Sequence, residues 1–185
     1  MNIKICISSV LLTISSAMYA QQIGVSANLL DVAALGTLNA EVSYAVSRHW
    51  SITAGGRFNP FTYNKGDVDR QFQYRQQSYA IGARFWQWHI WSGWWFASKL
   101  RYQEYNAGGI ISRETRQGDR VGLGLYAGYA HMLSDNLNIE FGIGFWGGAD
   151  IYEVYDCPVC GQTLDKGSKF FLLPDDMMIS LAYVF

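Results

Sequence analysis

The sequence predicts an all-β chain, an eight-stranded antiparallel transmembrane up-and-down β-barrel. Three observations carry that expectation. After residue 20, apolar and polar residues alternate with a period of two through eight segments, the mark of strands with two unlike faces. Most of these segments run about ten residues, nearly twice an ordinary strand and right for a tilted bilayer crossing. Short and long connections alternate between them, as they do in barrels that cross outer membranes.

Composition narrows the alternatives. Of 185 residues, 50% are apolar and only 16% charged, against about 25% charged in a soluble domain. Mean hydropathy is nevertheless zero. Nineteen Gly, 12 Tyr, 10 Phe and 7 Trp make up the difference. A helical membrane protein needs apolar runs of about 20 residues, and only the N-terminus approaches one. Disordered chains lack this many aromatics. A nucleic-acid partner is not expected, because 14 Lys/Arg face 15 Asp/Glu where a nucleic-acid binder is basic. The length fits one domain.

Residues 1–20 have the three parts of a secretory signal: Lys4, the apolar run Ile5–Ile14, and small residues from Ser15 to Ala20. Cleavage after Ala20 would leave residues 21–185 as the exported barrel. Ala17 is the alternative site. Cys6 precedes the end of the apolar run, too early for a lipoprotein cysteine. The mature chain then keeps only Cys157 and Cys160.

The expected strands lie near Ile23–Ala33, Thr37–Ser47, Trp50–Asn59, Phe72–Gln87, Trp94–Asn106, Arg120–Met132, Leu137–Ala149 and Met177–Phe185. One face carries residues such as Leu38, Val42, Tyr44, Ile52, Phe58, Tyr79, Ile81, Leu123, Leu125, Phe141 and Ile143. The other carries Asn28, Asn39, Glu41, Ser43, Thr53, Arg57, Arg84, Lys99, Arg101, Asn138 and Glu140, with glycines between. Alternation alone does not choose which face points inward.

Three features favour apolar side outward, toward lipid. Short turns at Ser47–His49, Trp88–Gly93 and Leu133–Asn136 oppose long external loops at 60–71, 107–119 and 150–176. The connection near Leu35–Gly36 is a tight exception. Trp50, Trp86, Trp88, Trp91, Trp94 and Trp95 gather at the short-turn ends, where a membrane-interface belt is expected. Finally, the last strand ends Tyr183-Val184-Phe185, like the terminal strand signal read by the barrel-assembly machinery. A lipocalin-like soluble barrel, the competing fold, leaves those strand-end aromatics unexplained.

With that orientation the bore of an eight-stranded barrel is filled by side chains. Its expected charge network is Arg57, Arg84, Lys99 and Arg101 against Glu41 and Glu140. Buried charges persist when paired and hydrogen-bonded. A plug of salt bridges is therefore expected ahead of a small anion-favouring pore.

No catalytic constellation is legible, and no enzyme or cofactor is expected. His49, His89 and His131 all fall at or beside the short turns, where a polar tip in an interfacial turn is the ordinary reading. The external loops contain no histidine, and no Ser–His–Asp order, phosphate loop or metal triad can be read. Asp175-Asp176 are adjacent loop acids. The sharpest local motif is Cys157-Pro158-Val159-Cys160-Gly161. It fits an external disulfide, half of a metal knuckle awaiting a second copy, or a redox centre lacking its usual βαβ setting. The loops also carry many charges, among them Arg116, Asp119, Arg120, Asp150, Glu153, Asp165 and Lys169. These read as a solvated surface or as a docking rim.

Several segments together resemble a known family. They include Asn39-Ala40-Glu41-Val42-Ser43-Tyr44, Arg57-Phe58-Asn59-Pro60, Gly82-Ala83-Arg84-Phe85-Trp86, Trp91-Ser92-Gly93-Trp94-Trp95, and Tyr155-Asp156 followed by the cysteine knuckle. The set resembles the family of domain of unknown function 3575, outer-membrane barrels found mainly in Bacteroidota. The resemblance implies location in the cell outer membrane and barrel architecture, with outer-membrane lipid as surroundings. It supplies no catalytic residues. It makes an accessory role beside an envelope or fimbrial assembly the leading functional expectation. A surface barrel whose loops bind a ligand or host component comes second, and a narrow pore third.

Overall fold

The computed structural model describes residues 22–64, 71–109, 114–157 and 162–185. The chain forms β1 (Ile23–Asn28), α1 (Leu29–Ala33), β2 (Leu38–Ala45), β3 (Trp50–Asn59), β4 (Thr62–Tyr63), β5 (Phe72–Trp86), β6 (Gly93–Gly108), β7 (Thr115–Met132), β8 (Leu137–Tyr155) and β9 (Thr163–Val184). Every strand pairs antiparallel with its neighbour. β1 pairs β9, and β3 pairs β5, so eight strands close into a barrel while the two-residue β4 adds to the upper end of β5. Closure leaves the barrel strands without an exposed edge through the barrel wall.

Side-chain alternation then divides the molecule. Leu38, Val42, Ile52, Tyr79, Leu100, Leu123, Leu125, Phe141 and Ile143 all point outward, Ile81 with 62% of its surface exposed. Asn28, Ser43, Thr53, Arg84, Lys99, Arg101, Asn138 and Glu140 are buried inside. The molecule is thus turned inside out relative to a soluble barrel, with apolar skin and polar filling.

Two differences from the sequence expectation have local causes. The first segment, read as a strand over 23–33, breaks at Asn28. That side chain caps α1 by accepting from Leu30 N at 3.2 Å, and also accepts from Ile179 N at 3.2 Å. The tight turn follows, with Leu35 and Gly36 at φ of 62° and 68°.

The second difference is larger. Much of what reads as external loop is strand. β6 runs to Gly108, β7 starts at Thr115, β8 runs to Tyr155 and β9 starts at Thr163. Register continues through the supposed 150–176 loop, with Asp150 opposite Lys169 and Glu153 opposite Lys166. Backbone pairing persists there although each face mixes polar and apolar residues, Ile151 with Glu153 outward and Asp150 with Val154 inward, so hydrophobic alternation gives no signal. β7, β8 and β9 therefore exceed 17 residues, and the upper ends of β5–β9 stand above the apolar band as an extension.

On the outer side, that extension carries a ladder of side-chain hydrogen bonds. Gln73 donates to Asn106 (2.6 Å), Asn106 to Gln117 (3.4 Å), Gln117 to the Tyr155 hydroxyl (3.0 Å) and Tyr155 to Glu153 (2.7 Å). Lys166 completes it, 2.6 Å from Glu153. Lys166 and Tyr155 hold the Glu153 carboxyl below its ordinary value. A lowered carboxylate stabilises the fold above its unfolded pKa and loses that contribution as pH falls through the folded value. The Glu153 carboxyl carbon should accordingly titrate, by NMR, at lower pH than in Lys166→Met; coincident curves would contradict the pairing.

Candidate functional site

The bore holds two stacked networks. The lower one begins with alternation on β5 and β6, which sends Arg84, Trp86, Trp95 and Lys99 inward. Arg84 donates through Nη1 to Glu140 Oε2 and through Nη2 to Glu41 Oε1, both at 2.8 Å. Lys99 Nζ pairs with the other oxygen of Glu41. One guanidinium and one ammonium thus meet two carboxylates drawn from β2 and β8. The Arg84 guanidinium also lies 4.3 Å from the centre of the Trp95 ring and 5.4 Å from that of Trp86, a cation–π arrangement that gains strength away from water.

Trp86, Trp91 and Trp95 close the bore beneath these charges. This corrects the expectation that all six tryptophans belong to the interface belt. Trp50, Trp88 and Trp94 do lie outward at the short-turn rim, Trp94 with half its surface exposed. Trp86 and Trp95 have none exposed, and Trp91 is buried with them. The cause is strict period two: Trp94 and Trp95 are adjacent and take opposite faces. Trp91 comes from the turn at φ 69°, a costly conformation for a bulky residue. Asn138 holds it by donating to its carbonyl at 2.8 Å, and its ring meets Trp86 edge to face, 5.7 Å between centres.

Glycines make room for this packing. A Cβ at Gly128 would collide with the Trp95 ring and the Phe141 carbonyl oxygen. Gly128→Ala should therefore destabilise the barrel by about 1–3 kcal/mol through overpacking, measured as a shift of the urea midpoint in detergent. An unchanged midpoint would contradict the packing described.

The upper network was not legible as a lumen site. Asp150 has no exposed surface. It accepts from the Tyr105 hydroxyl at 2.9 Å and pairs with Arg120 at 3.4 Å and Lys169 at 3.8 Å. Burial, then the bond to Asp150, pushes the Tyr105 phenol up to about 12. The Arg120 guanidinium covers the Tyr105 ring at 3.8 Å. Between the networks, Arg101 lies over the Trp146 ring at 5.1 Å and Lys99 over Tyr126 at 5.2 Å. Of the six expected lumen charges, Glu41, Arg84, Lys99 and Glu140 converge in one cluster. Arg101 is buried higher in the bore. Arg57 pairs with Asp31 of α1 at 2.9 Å.

A groove of about 580 Å³ crosses the upper strands. Its floor is a single register row, Asn59, Gln76, Tyr105, Gly118 and Tyr152. Its walls are the rows on either side: Phe58, Gln77, Glu104, Asp119 and Ile151 below, Arg75, Asn106, Gln117 and Glu153 above. Tyr102, the next outward residue beneath Glu104, donates its hydroxyl toward Glu104 and Asp119 at 3.0 and 2.9 Å.

The remaining sequence candidates are dispersed. His49 contacts the Trp86 carbonyl oxygen at 3.0 Å through Nδ1, His89 bridges the turn to Ser92, and His131 stands opposite Ile139 at the end of β7. Tyr183 and Phe185 stack edge to face on the outer side, 4.8 Å apart. Cys157 is buried, whereas Cys160 and residues 1–20, expected as a signal, lie outside the described residues.

A family model described as protein of unknown function (DUF3575) matches residues 6–185. The chain belongs to that family. No curated protein matches it. The DUF3575 chain is thus a closed eight-stranded antiparallel barrel whose polar groups are concentrated in its bore and in its strand extension.

Proposed function

We propose that this DUF3575 protein is a non-conducting, non-enzymatic barrel of the cell outer membrane, acting as an accessory partner of an envelope or surface-fibre assembly. The observation that carries the membrane placement is the inversion of polarity. An outward apolar band bounded at one rim by Trp50, Trp88, Trp94, Tyr183 and Phe185 suits lipid and aromatic interface alike. The filled bore supports the closed reading over a pore. In this reading residues 1–20 direct export, the barrel-assembly machinery receives the terminal strand, and a Cys157–Cys160 disulfide pins the outermost hairpin. The extension of β5–β9 beyond the band, held rigid by its side-chain ladder, is the surface offered to a partner. Its three histidines stand apart from that surface, at the short-turn end.

Affinity capture of the full chain in mild detergent tests the role. Co-purification of a defined envelope component that is lost when the 150–169 hairpin is shortened is the expected result. Recovery of the barrel alone at every detergent strength would overturn the accessory role. Lipid placement is checked separately with a lipid-borne quencher, which should quench Trp94→Phe less than the native protein.

A further inference from the structure

The groove across the upper strands has the chemistry of a ligand site. Its volume, about 580 Å³, falls within the ~300–1,000 Å³ common for small-molecule sites. Its walls combine the carboxylates Glu104, Asp119 and Glu153 with the amides Gln77, Asn106 and Gln117, a set suited to hydroxyl groups, each of which is itself donor and acceptor. Glu104 and Asp119 stand directly opposite each other across β6 and β7, a pairing of like charges that is unfavourable without compensation. The Tyr102 hydroxyl has one proton for the two of them. Hydroxyls of a bound ligand would supply further donors to these carboxylates. Three carboxylates against Arg75 disfavour phosphate and other anions. Phe58, exposed at one end of the wall, offers a ring face for the apolar side of a sugar.

We propose that this groove binds a neutral carbohydrate. The position suggests two sources of the same chemistry. The groove lies one outward row above Tyr79 and Tyr102, at the upper margin of the apolar band, where the sugar part of a glycolipid would sit. It is also open to a free glycan. The glycolipid source rests on the membrane placement proposed above. The free-sugar source does not, so its test stands even if that placement fails.

The experiment uses the full chain in detergent with maltotriose and chitotriose, read by native mass spectrometry and calorimetric titration. A parallel arm uses nanodiscs with and without monogalactosyl diglyceride. Saturable binding in either arm is expected, and the arm in which it occurs identifies the source. Glu104→Ala with Asp119→Ala should weaken it by about tenfold or more, the scale of lost hydrogen bonds to charged groups. Gln77→Trp, which stands opposite Glu104 and fills the groove while leaving both carboxylates in place, should weaken it too. Retention of SDS-resistant, heat-modifiable migration shows that each variant is folded. No binding in either arm, or binding that folded groove variants leave unchanged, would overturn the proposal.

Discussion

Arg84→Ala should destabilise the barrel by about 3–5 kcal/mol, the cost of leaving a buried charge without its partner. Arg84 is the only cation placed on Glu140 among the described residues, and the Glu140 side chain is almost wholly buried. Glu41 keeps Lys99 after the change, so the loss falls on Glu140 and on the cation–π contact with Trp95. Replacing both partners distinguishes an unpaired charge from simple loss of packing. Arg84→Met with Glu140→Leu should cost clearly less than Arg84→Ala, because apolar groups of similar volume remove the desolvation burden as well as the attraction. Urea unfolding in detergent, followed by heat-modifiable migration, measures all three proteins. A double variant as unstable as the single one would contradict the ion-pair account.

Trp95→Ala should cost about 3–5 kcal/mol as a large core ring is deleted, and it should also open the bore. Its neighbour Trp94 provides the control. The two residues are adjacent in sequence and share a strand, yet Trp94 packs outward against Tyr129, 5.4 Å between ring centres, while Trp95 is enclosed by Arg84, Gly128 and Gly142. Trp94→Ala should leave the unfolding midpoint in detergent much closer to that of the native protein. Equal losses from the two substitutions would contradict the assignment of Trp95 to the plug.

The barrel and most of its lower charge cluster were legible because period-two alternation fixes which residues share a face. Glu41, Arg84, Lys99 and Glu140 fall on one face in four different strands, so closure alone brings them together. Trp86 and Trp95 were legible by the same rule, since Phe85 and Trp94 take the outer face beside them. Their crowding at strand ends suggested an interface belt and concealed the alternation. Trp91 could not be placed this way, because a turn residue at positive φ has no strand parity. Asp150, Arg120 and Lys169 were hidden for another reason. They lie where strands continue with polar and apolar residues mixed on each face, and a hydrophobic pattern cannot report pairing made by the backbone. Arg57 finds Asp31 because α1 interrupts the first segment, and five residues beginning Leu-Leu-Asp carry too weak a helical period to announce it.

The proposal that this barrel is closed to ions rests on its plugged bore and apolar skin, and the current through the purified full chain in a planar bilayer tests it most directly. The native protein should give no steady conductance, whereas Trp95→Ala should give discrete openings. Stable open channels from the native protein would contradict the account.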